Sequence, residues 1–480
     1  MNRNPSLLVA ASALFLASCT PGPKYSKPPV ASAPSYREQP PASFKEANGW
    51  KQAQPSDGAI RGNWWEFFND PQLNALEQQV SPANQSLKVA EANFRQARAA
   101  IKLNRAGLFP NIAAAPQITR NRLSANSPTG LQGYEYGNFV LPVTVSYDAD
   151  FWGRIRRNIA AAREQFQGPA ADLANAKLEL ESELAVDYFE ARSLDLQKRI
   201  LDDTVIAYQK ALQLTQNRYI GGVASKAEVA QAQTQLDTAQ AQDIDLGVSR
   251  AEFEHAISVL IGKTPEQFQL PVKPLQESPP AIPVGVPSQL LERRPDIAAA
   301  ERQVAAANEQ IGIATAAFFP DLLITAEGGL QSGSIVNWFT WPSRFWSLGP
   351  QLSQTIFDFG RRRAQVEITE AAYDAQVANY RQTALTAFQE VEDNLSTLRV
   401  LEEESTKQHE ATAAAENSLQ LSLNRYKGGL VTYLEVITAQ NIALTNERTE
   451  ADLLRRRMDA SVLLIKALGG GWNISQLPQA

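Results

Sequence analysis

Residues 218–222 read Arg-Tyr-Ile-Gly-Gly, and residues 425–429 read Arg-Tyr-Lys-Gly-Gly. The same Arg-Tyr-x-Gly-Gly motif therefore occurs twice, at an offset of 207 residues. Glycine readily adopts the left-handed backbone that ends one helix before another begins. We predict that Gly221-Gly222 and Gly428-Gly429 form the tip turns of two helical hairpins.

Further matches occur in the same order in the two halves of the chain. They are Glu-Val at 228–229 and 435–436, Leu-Phe-Pro-Asn-Ile at 108–112 against Phe-Phe-Pro-Asp-Leu at 318–322, and Asp-Phe-Trp-Gly-Arg at 150–154 against Asp-Phe-Gly-Arg at 358–361. Self-similarity at one long period indicates two tandem structural repeats. We place the first repeat at 63–264 and the second at 288–470. A Pro-rich linker at 265–287 separates them, and residues 471–480 form a C-terminal tail.

Two proline-free tracts, residues 170–264 and 351–477, are rich in strong helix formers. Their apolar residues recur in steps of three and four, which is typical of helices packed as coiled coils. Examples are Leu201, Val205, Tyr208 and Leu212, and in the second half Phe388, Val391, Leu395 and Leu398. Each repeat should therefore contain a long antiparallel helix pair. A first helix of roughly 55 to 65 residues would be about 80–100 Å long.

Four other segments alternate between apolar and polar residues, which predicts strands at about 111–121, 139–148, 321–331 and 345–356. These lengths match tilted membrane-spanning strands of about 9–11 residues. No apolar run reaches the roughly 18 residues of a transmembrane helix. Because a membrane barrel needs about eight strands or more and tolerates no open edge, several copies of the chain must share one barrel. The strand count allows two or more copies.

Aromatic residues cluster around the connection between the last two predicted strands: Trp338, Trp341, Phe345 and Trp346. Aromatic side chains beside lipid-facing strands are typical of a membrane-interface girdle. The alternative is a soluble sheet with surface tryptophans.

The N-terminus resembles a secretory signal that ends at the one cysteine of the chain. An apolar stretch from Leu7 to Ala17 follows Arg3, and Leu16-Ala-Ser-Cys19 resembles the bacterial lipobox. We expect residues 1–18 to be removed as a lipoprotein signal peptide and Cys19 to carry S-diacylglycerol and an N-acyl chain such as palmitate. An ordinary signal peptide with a chance cysteine is the alternative. Thr20, where Asp would indicate retention in the inner membrane, favours the outer membrane.

Residues 19–62 should form an extended N-terminal arm. Eight prolines between residues 20 and 55 prevent a helix or a central strand there. A disordered tether is the alternative reading of the same composition.

The composition excludes several kinds of function. Forty-five Lys+Arg against 51 Asp+Glu give a formal net charge of −6, which makes nucleic acid an unlikely partner. Two His and one Cys supply neither a disulfide framework nor a Cys/His metal site. We find no Walker-type phosphate loop and no nucleophile–base arrangement. We therefore expect no enzyme activity, no metal and no cofactor apart from the covalent lipid.

These motifs, together with Trp64-Trp-Glu-Phe-Phe-Asn-Asp-Pro71, resemble the outer membrane factor family. These are the TolC-like channels of tripartite efflux pumps, and the chain is similar to the lipoprotein branch typified by OprM over residues 19–470. The resemblance implies a mixed α+β membrane protein. It would be a homotrimer with a 12-stranded β-barrel in the outer membrane, four strands per chain, continued by a coiled-coil α-helical tunnel through the periplasm.

The resemblance also implies the function and the partners. The channel would give drugs or other small molecules a passive, gated exit path and so confer multidrug resistance. It would dock on a periplasmic membrane-fusion adaptor and an inner-membrane transporter, commonly of the resistance-nodulation-division type.

By the same resemblance, the innermost ring of the channel follows the second tip. The implied gate candidates are Tyr433, Leu434, Glu435 and Thr438, with Leu434 as an apolar constriction and Glu435 as an acidic ring that favours cations. Related lipoprotein channels often carry an acidic residue where Thr438 stands. The remaining candidates, Arg218, Tyr219, Arg425 and Tyr426, would contact acidic residues of neighbouring helices at the tips. The alternative is that all eight are capping or solvated residues.

Three other functions stay open at this point. A type I protein-secretion channel has the same fold. A periplasmic coiled-coil adaptor or scaffold lipoprotein would show long helical hairpins but would not need the strands. An envelope hydrolase would need a catalytic constellation that the chain does not suggest.

Overall fold

The computed structural model describes residues 20–41, 62–126, 133–285 and 287–478. The predicted signal peptide and Cys19 lie outside the described residues. The helices are α1 Pro71–Ala83, α2 Gln85–Ala106, α3 Arg154–Ile220, α4 Lys226–Leu260, α5 Leu290–Arg293, α6 Pro295–Ala316, α7 Arg361–Lys427 and α8 Tyr433–Ala467. The strands are β1 Asn111–Ala114, β2 Gln117–Arg122, β3 Glu135–Asp148, β4 Asp321–Ser332 and β5 Arg344–Ser353.

Two long helical hairpins dominate the molecule. Helices α3 and α7 each contain 67 residues, and α4 and α8 each contain 35. At 1.5 Å per residue, α3 and α7 are about 100 Å long. Gly222 and Gly429 take φ values of +75° and +77° at the tips, where a side chain would strain the backbone. Helix α3 begins at Arg154, is slightly longer than the roughly 55 to 65 residues predicted, and continues through Pro169.

The strands form one antiparallel sheet in the order β1/β2–β3–β4–β5. The segment predicted as one strand over 111–121 is divided, because Pro116 lacks the N–H that a continuous ladder would need. Both β1 and β2 pair with β3, so they occupy one position in the sheet. Strand β3 begins four residues before the predicted start, and β5 ends at Ser353 instead of 356.

Helix α6 lies between the two long helices. On one side Arg302 pairs with Glu164 of α3 at 3.0 Å, and Glu309 pairs with Arg157 of α3 at 2.9 Å. On its other side, Ile297 and Val304 of α6 pack with Tyr380 of α7. Helix α2 holds the corresponding place before α3 in the first half, where Ile101 packs against Ala162 and Phe166. The helices therefore lie side by side in the order α2–α3–α6–α7.

The main core surrounds the middle of the long helices. Trp64, Phe68 and Leu73 pack there against Tyr188 and Phe189 of α3, together with the last turns of α4 and α8. No helix in the described ranges has both the length and the apolar character to cross a membrane.

Candidate gate and membrane-end sites

The tips of the two hairpins pack against each other through buried aromatic residues. The Tyr426 and Tyr433 rings lie 5.4 Å apart, and these side chains are 1% and 0% exposed. The Tyr426 hydroxyl donates to Thr215 Oγ1 at 3.3 Å, and Tyr208 of α3 belongs to the same core. We call Tyr208, Thr215, Tyr426 and Tyr433 the tip cluster. It joins α3 of the first hairpin to α7 and α8 of the second.

Arg218 adds a polar contact between the hairpins. Its Nη1 donates to the Tyr426 carbonyl at 3.0 Å and to the Lys427 carbonyl at 3.4 Å, and its guanidinium lies 4.7 Å from the centre of the Tyr426 ring. The last carbonyls of a helix have no partner within the helix and carry its negative dipole end. Arg218 therefore holds the C-terminus of α7, whereas the sequence suggested a carboxylate partner.

Arg425, which corresponds to Arg218 in the second half, makes a different contact. Its Nη1 lies 2.7 Å from Glu435 Oε1, and the two side chains are 55% and 42% exposed. This ion pair closes the turn from α7 to α8 and stays within one hairpin. Exposed pairs of this kind contribute only about 0–1 kcal/mol.

Glu228 is a tip residue that the sequence analysis did not select. It forms a capping box with Ser225, whose hydroxyl accepts from the Glu228 N–H at 3.2 Å while the Ser225 N–H donates to Glu228 Oε2 at 2.8 Å. Its other oxygen accepts from the Tyr433 N–H at 3.2 Å, so one carboxylate caps both α4 and α8. The Ser-x-x-Glu spacing signals the first cap in the sequence. No local pattern signals the second.

The other gate candidates face solvent in the single chain. Leu434 is 58% exposed and Tyr219 is 46% exposed. Thr438 is also exposed, and its hydroxyl donates to the Leu434 carbonyl at 3.0 Å. Of the four residues suggested for the innermost ring, Leu434, Glu435 and Thr438 can present side chains to a channel. Tyr433 is enclosed in the tip cluster and acts as a contact between helices.

An acidic group lies farther along the long helices, between α3 and α8. Arg455 of α8 pairs with Glu190 of α3 and with Asp452 and Asp459 on its own helix. Burial raises the pKa of Asp459 to about 7, and repulsion from Glu190 adds to the effect. Burial likewise raises the pKa of Asp187 to about 7, and repulsion from the neighbouring Glu183 and Glu190 of α3 adds to the effect.

The aromatic residues at the far end of the sheet have different environments. Trp338 is 9% exposed, lies 5.7 Å from the Phe139 ring, and donates from Nε1 to the Leu330 carbonyl at 3.3 Å. Trp341 and Trp346 are 75% and 81% exposed, and Phe345 is partly exposed. Trp338 therefore packs on the sheet, whereas the side chains of Trp341 and Trp346 lie on the surface of the chain.

The N-terminal arm lies extended along α6 and α7 over residues 20–41. The Tyr25 hydroxyl donates to Glu301 at 2.5 Å, and farther along, the backbone N–H groups of Arg37 and Glu38 donate to Glu392 at 2.8 and 2.9 Å. At its start, Thr20 lies beside the glycine that precedes α3. A Cβ on Gly153 would come within 2.7 Å of the Thr20 methyl. The arm therefore begins at the sheet end of the long helices.

Comparison with known proteins shows what the chain is similar to. The sequence profile of the outer membrane efflux protein family matches residues 76–263 and 286–470. The chain is 30% identical over 474 residues to the toluene efflux pump outer membrane protein TtgF of Pseudomonas putida, covering 98% of both chains. It is 32% identical over 426 residues to the pyoverdine export outer membrane protein OpmQ of Pseudomonas aeruginosa, covering 87% of this chain and 89% of that one. The solved structure of the outer-membrane channel OprN matches with a TM-score of 0.83 and 27% identity, over 95% of this chain and all of that one.

Proposed function

Because the chain belongs to the outer membrane efflux protein family, and thus forms the outer membrane channel of an efflux pump, we propose that three copies build one conduit. In this trimer the sheets would close into a 12-stranded barrel. The long helices would continue it as a tunnel through the periplasm.

The two unpaired edges of the sheet are the main support for this proposal. Among the described strands, β5 pairs only with β4, and β1 and β2 pair only with β3. In lipid, unpaired backbone groups cost several kcal/mol each, so both edges need a partner. Pairing β5 of one copy with β1/β2 of the next satisfies both, and three copies give twelve strand positions.

The helices support the same ring. Helix α6 is covered on one side by α3 and on the other by α7, whereas α2 packs extensively on α3 and has no comparable packing on α7. The element order in the two halves is the same when β1 and β2 are counted as one strand position, which supports two tandem repeats. In a ring, α7 of the neighbouring copy would lie against α2 as it lies against α6 within one chain.

The conduit would be passive and gated at the tips. The tip cluster and Arg218 hold the second hairpin against the first, and this contact would break or slide when the partners open the channel. Leu434 and Glu435 would each occur three times around the axis, as an apolar constriction and an acidic ring. Adaptor docking would bias the position of the second hairpin.

The anchor would be the acylated Cys19. Thr20 lies against Gly153 at the sheet end of α3, so the described part of the arm starts at the end of the long helices from which the strands extend. Several acyl chains bind a bilayer firmly, at about 0.8 kcal/mol per buried methylene. The arm would thus connect the lipid anchor to the side of the helical tunnel.

The cargo would be drugs, solvents or other small molecules, since TtgF and OpmQ are named for toluene efflux and pyoverdine export. This favours small-molecule efflux over type I protein secretion. Family membership also argues against the adaptor and hydrolase alternatives. The partners would be a periplasmic adaptor and a resistance-nodulation-division transporter.

Planar-bilayer conductance of the purified, acylated protein tests the conduit, with native mass measured on the same sample. Discrete conductance steps from a species of three chains would support it. A monomer that never conducts would refute it.

A further inference from the structure

One strongly charged surface has no role in the conduit described above. Residues 92–134 contain six Lys or Arg and no Asp or Glu. Four of the cations lie on α2: Arg95, Arg98, Lys102 and Arg105. All four are exposed, and none makes an ion pair with a described residue. We call them the basic stripe.

The four cations share one face of α2. Their spacing of three, four and three residues places them along a single line of the helix surface. This line differs from the face that carries Phe94 and Ile101, which pack against α3. The stripe is therefore not the surface by which α2 joins its own long helix.

The second half of the chain shows which way this line faces. The matching positions of α6 hold uncharged residues: Ala305, Asn308, Gly312 and Thr315. There the arm covers the line. Asn308 Nδ2 donates to the Pro23 carbonyl at 3.4 Å, and a Cβ on Gly22 would come within 2.6 Å of the Gly312 Cα. The line thus lies on the side of the helical layer along which the arm runs. None of the described arm residues makes a hydrogen bond or ion pair with the matching line of α2, where four cations stand instead.

The basic stripe ends next to the strands, which form the membrane end of the molecule in the proposed conduit. Lys102 and Arg105 lie in the last turn or so of α2, and β1 begins at Asn111. Between helix and strand, Leu108 and Phe109 are 38% and 70% exposed. Cations near a helix C-terminus are favoured by the helix dipole, but that effect fades within the last turn. It explains Arg105 and does not explain Arg95 or Arg98.

We propose that the basic stripe binds the headgroup of an anionic phospholipid of the periplasmic leaflet, with Leu108 and Phe109 against the first acyl carbons. The inference rests on the outer membrane placement and does not need the trimer. Cations beside a bilayer surface attract anionic lipids. An amphipathic end with basic and aromatic residues is typical of helices that contact the membrane interface.

The length of the stripe fits this occupant. Ten residues separate Arg95 from Arg105, about 15 Å along the helix. A headgroup layer is roughly 5–7 Å thick on each side of the hydrocarbon core. Lys102 and Arg105 would therefore reach the lipid phosphate directly. Arg98 and Arg95 would lie within about two Debye lengths of roughly 8 Å and would attract the lipid at longer range.

Native mass spectrometry of the acylated protein in detergent tests this site, with phosphatidylglycerol and phosphatidylcholine titrated in parallel. We expect phosphatidylglycerol to bind more tightly than phosphatidylcholine. Replacing both Lys102→Gln and Arg105→Gln should weaken phosphatidylglycerol binding by up to about 25-fold, about fivefold per cation, and leave phosphatidylcholine unchanged. A variant that keeps both charges, with Lys102→Arg and Arg105→Lys, should still bind phosphatidylglycerol more tightly than phosphatidylcholine.

The matched control removes two other exposed cations, Lys210→Gln and Lys226→Gln, which lie near the tips. We expect this control variant to bind both lipids as tightly as the wild type does. Equal binding of the two lipids by the wild type would overturn the proposal, as would a wild-type preference in the Lys102/Arg105 variant. Channel conductance of that variant should stay normal. If the wild-type protein did not conduct at all, that result would count against the conduit and not against the lipid site.

Discussion

Replacing Arg218 should make the channel open more readily. In the structure its guanidinium donates to two carbonyls at the end of α7 and stacks on Tyr426, which belongs to the other hairpin. Gln is shorter and uncharged, so Arg218→Gln loses these contacts. If opening separates the hairpins, the closed state loses stability and the open state does not.

The magnitude follows from the two kinds of contact. A hydrogen bond to a charged group contributes about 1.5–3 kcal/mol, and the low end applies to this partly exposed side chain. A cation–π contact at an exposed site adds about 0.5–1 kcal/mol. A total of about 2 kcal/mol would raise the open-to-closed ratio roughly 30-fold.

The corresponding arginine of the second half is the control. Arg425 pairs with Glu435 within one hairpin, so Arg425→Gln should change the ratio at most about fivefold. The assay is single-channel open probability in planar bilayers, with circular dichroism and native mass confirming helix content and assembly. An Arg218→Gln channel that opens no more often than the Arg425→Gln channel would refute the role given to the tip contact.

Three further predictions concern other parts of the chain. Cys19→Ser should abolish palmitate labelling of the chain; labelling that persists in this variant would contradict acylation at Cys19. Glu435→Lys should shift the reversal potential in a salt gradient towards anion permeation, and an unshifted potential would remove Glu435 from the conducting path. Burial raises the pKa of Asp459 to about 7 from an ordinary 3.8, so between these values the unfolded chain ionises this group first and the free energy of unfolding falls as pH rises. Asp459→Asn should therefore raise Tm at pH 8 and raise it less at pH 5, and an equal gain at both pH values would contradict the burial effect.

The broad plan of the fold could be predicted because it is present in local and periodic patterns. The paired Gly-Gly motifs, proline-free tracts and alternating segments indicate the long helices and the strands directly. Element ends were less predictable. Pro169 stays inside α3, whereas Pro116 divides a strand. A helix tolerates one missing hydrogen bond when its neighbours hold it, and a ladder at the edge of a sheet is interrupted more readily.

The contacts between the hairpins could not be predicted from the sequence. Arg218 and Arg425 occupy the same motif, yet one reaches across to a helix end and the other pairs with a glutamate nearby. Likewise, Tyr426 is buried and Tyr219 in the matching position is exposed. The difference arises from the relative placement of two hairpins about 200 residues apart in the sequence, which no local pattern records.

Cross-linking between the sheet edges tests the shared barrel most directly. Ile112 of β1 and Leu352 of β5 are exposed at the same end of the sheet, at 69% and 68%. A chain with both Ile112→Cys and Leu352→Cys, treated in outer membranes with a short bis-maleimide, should give a ladder that stops at three chains. Each single variant should give no ladder. No cross-link in the double variant, or a ladder that extends beyond three chains, would contradict the trimeric barrel.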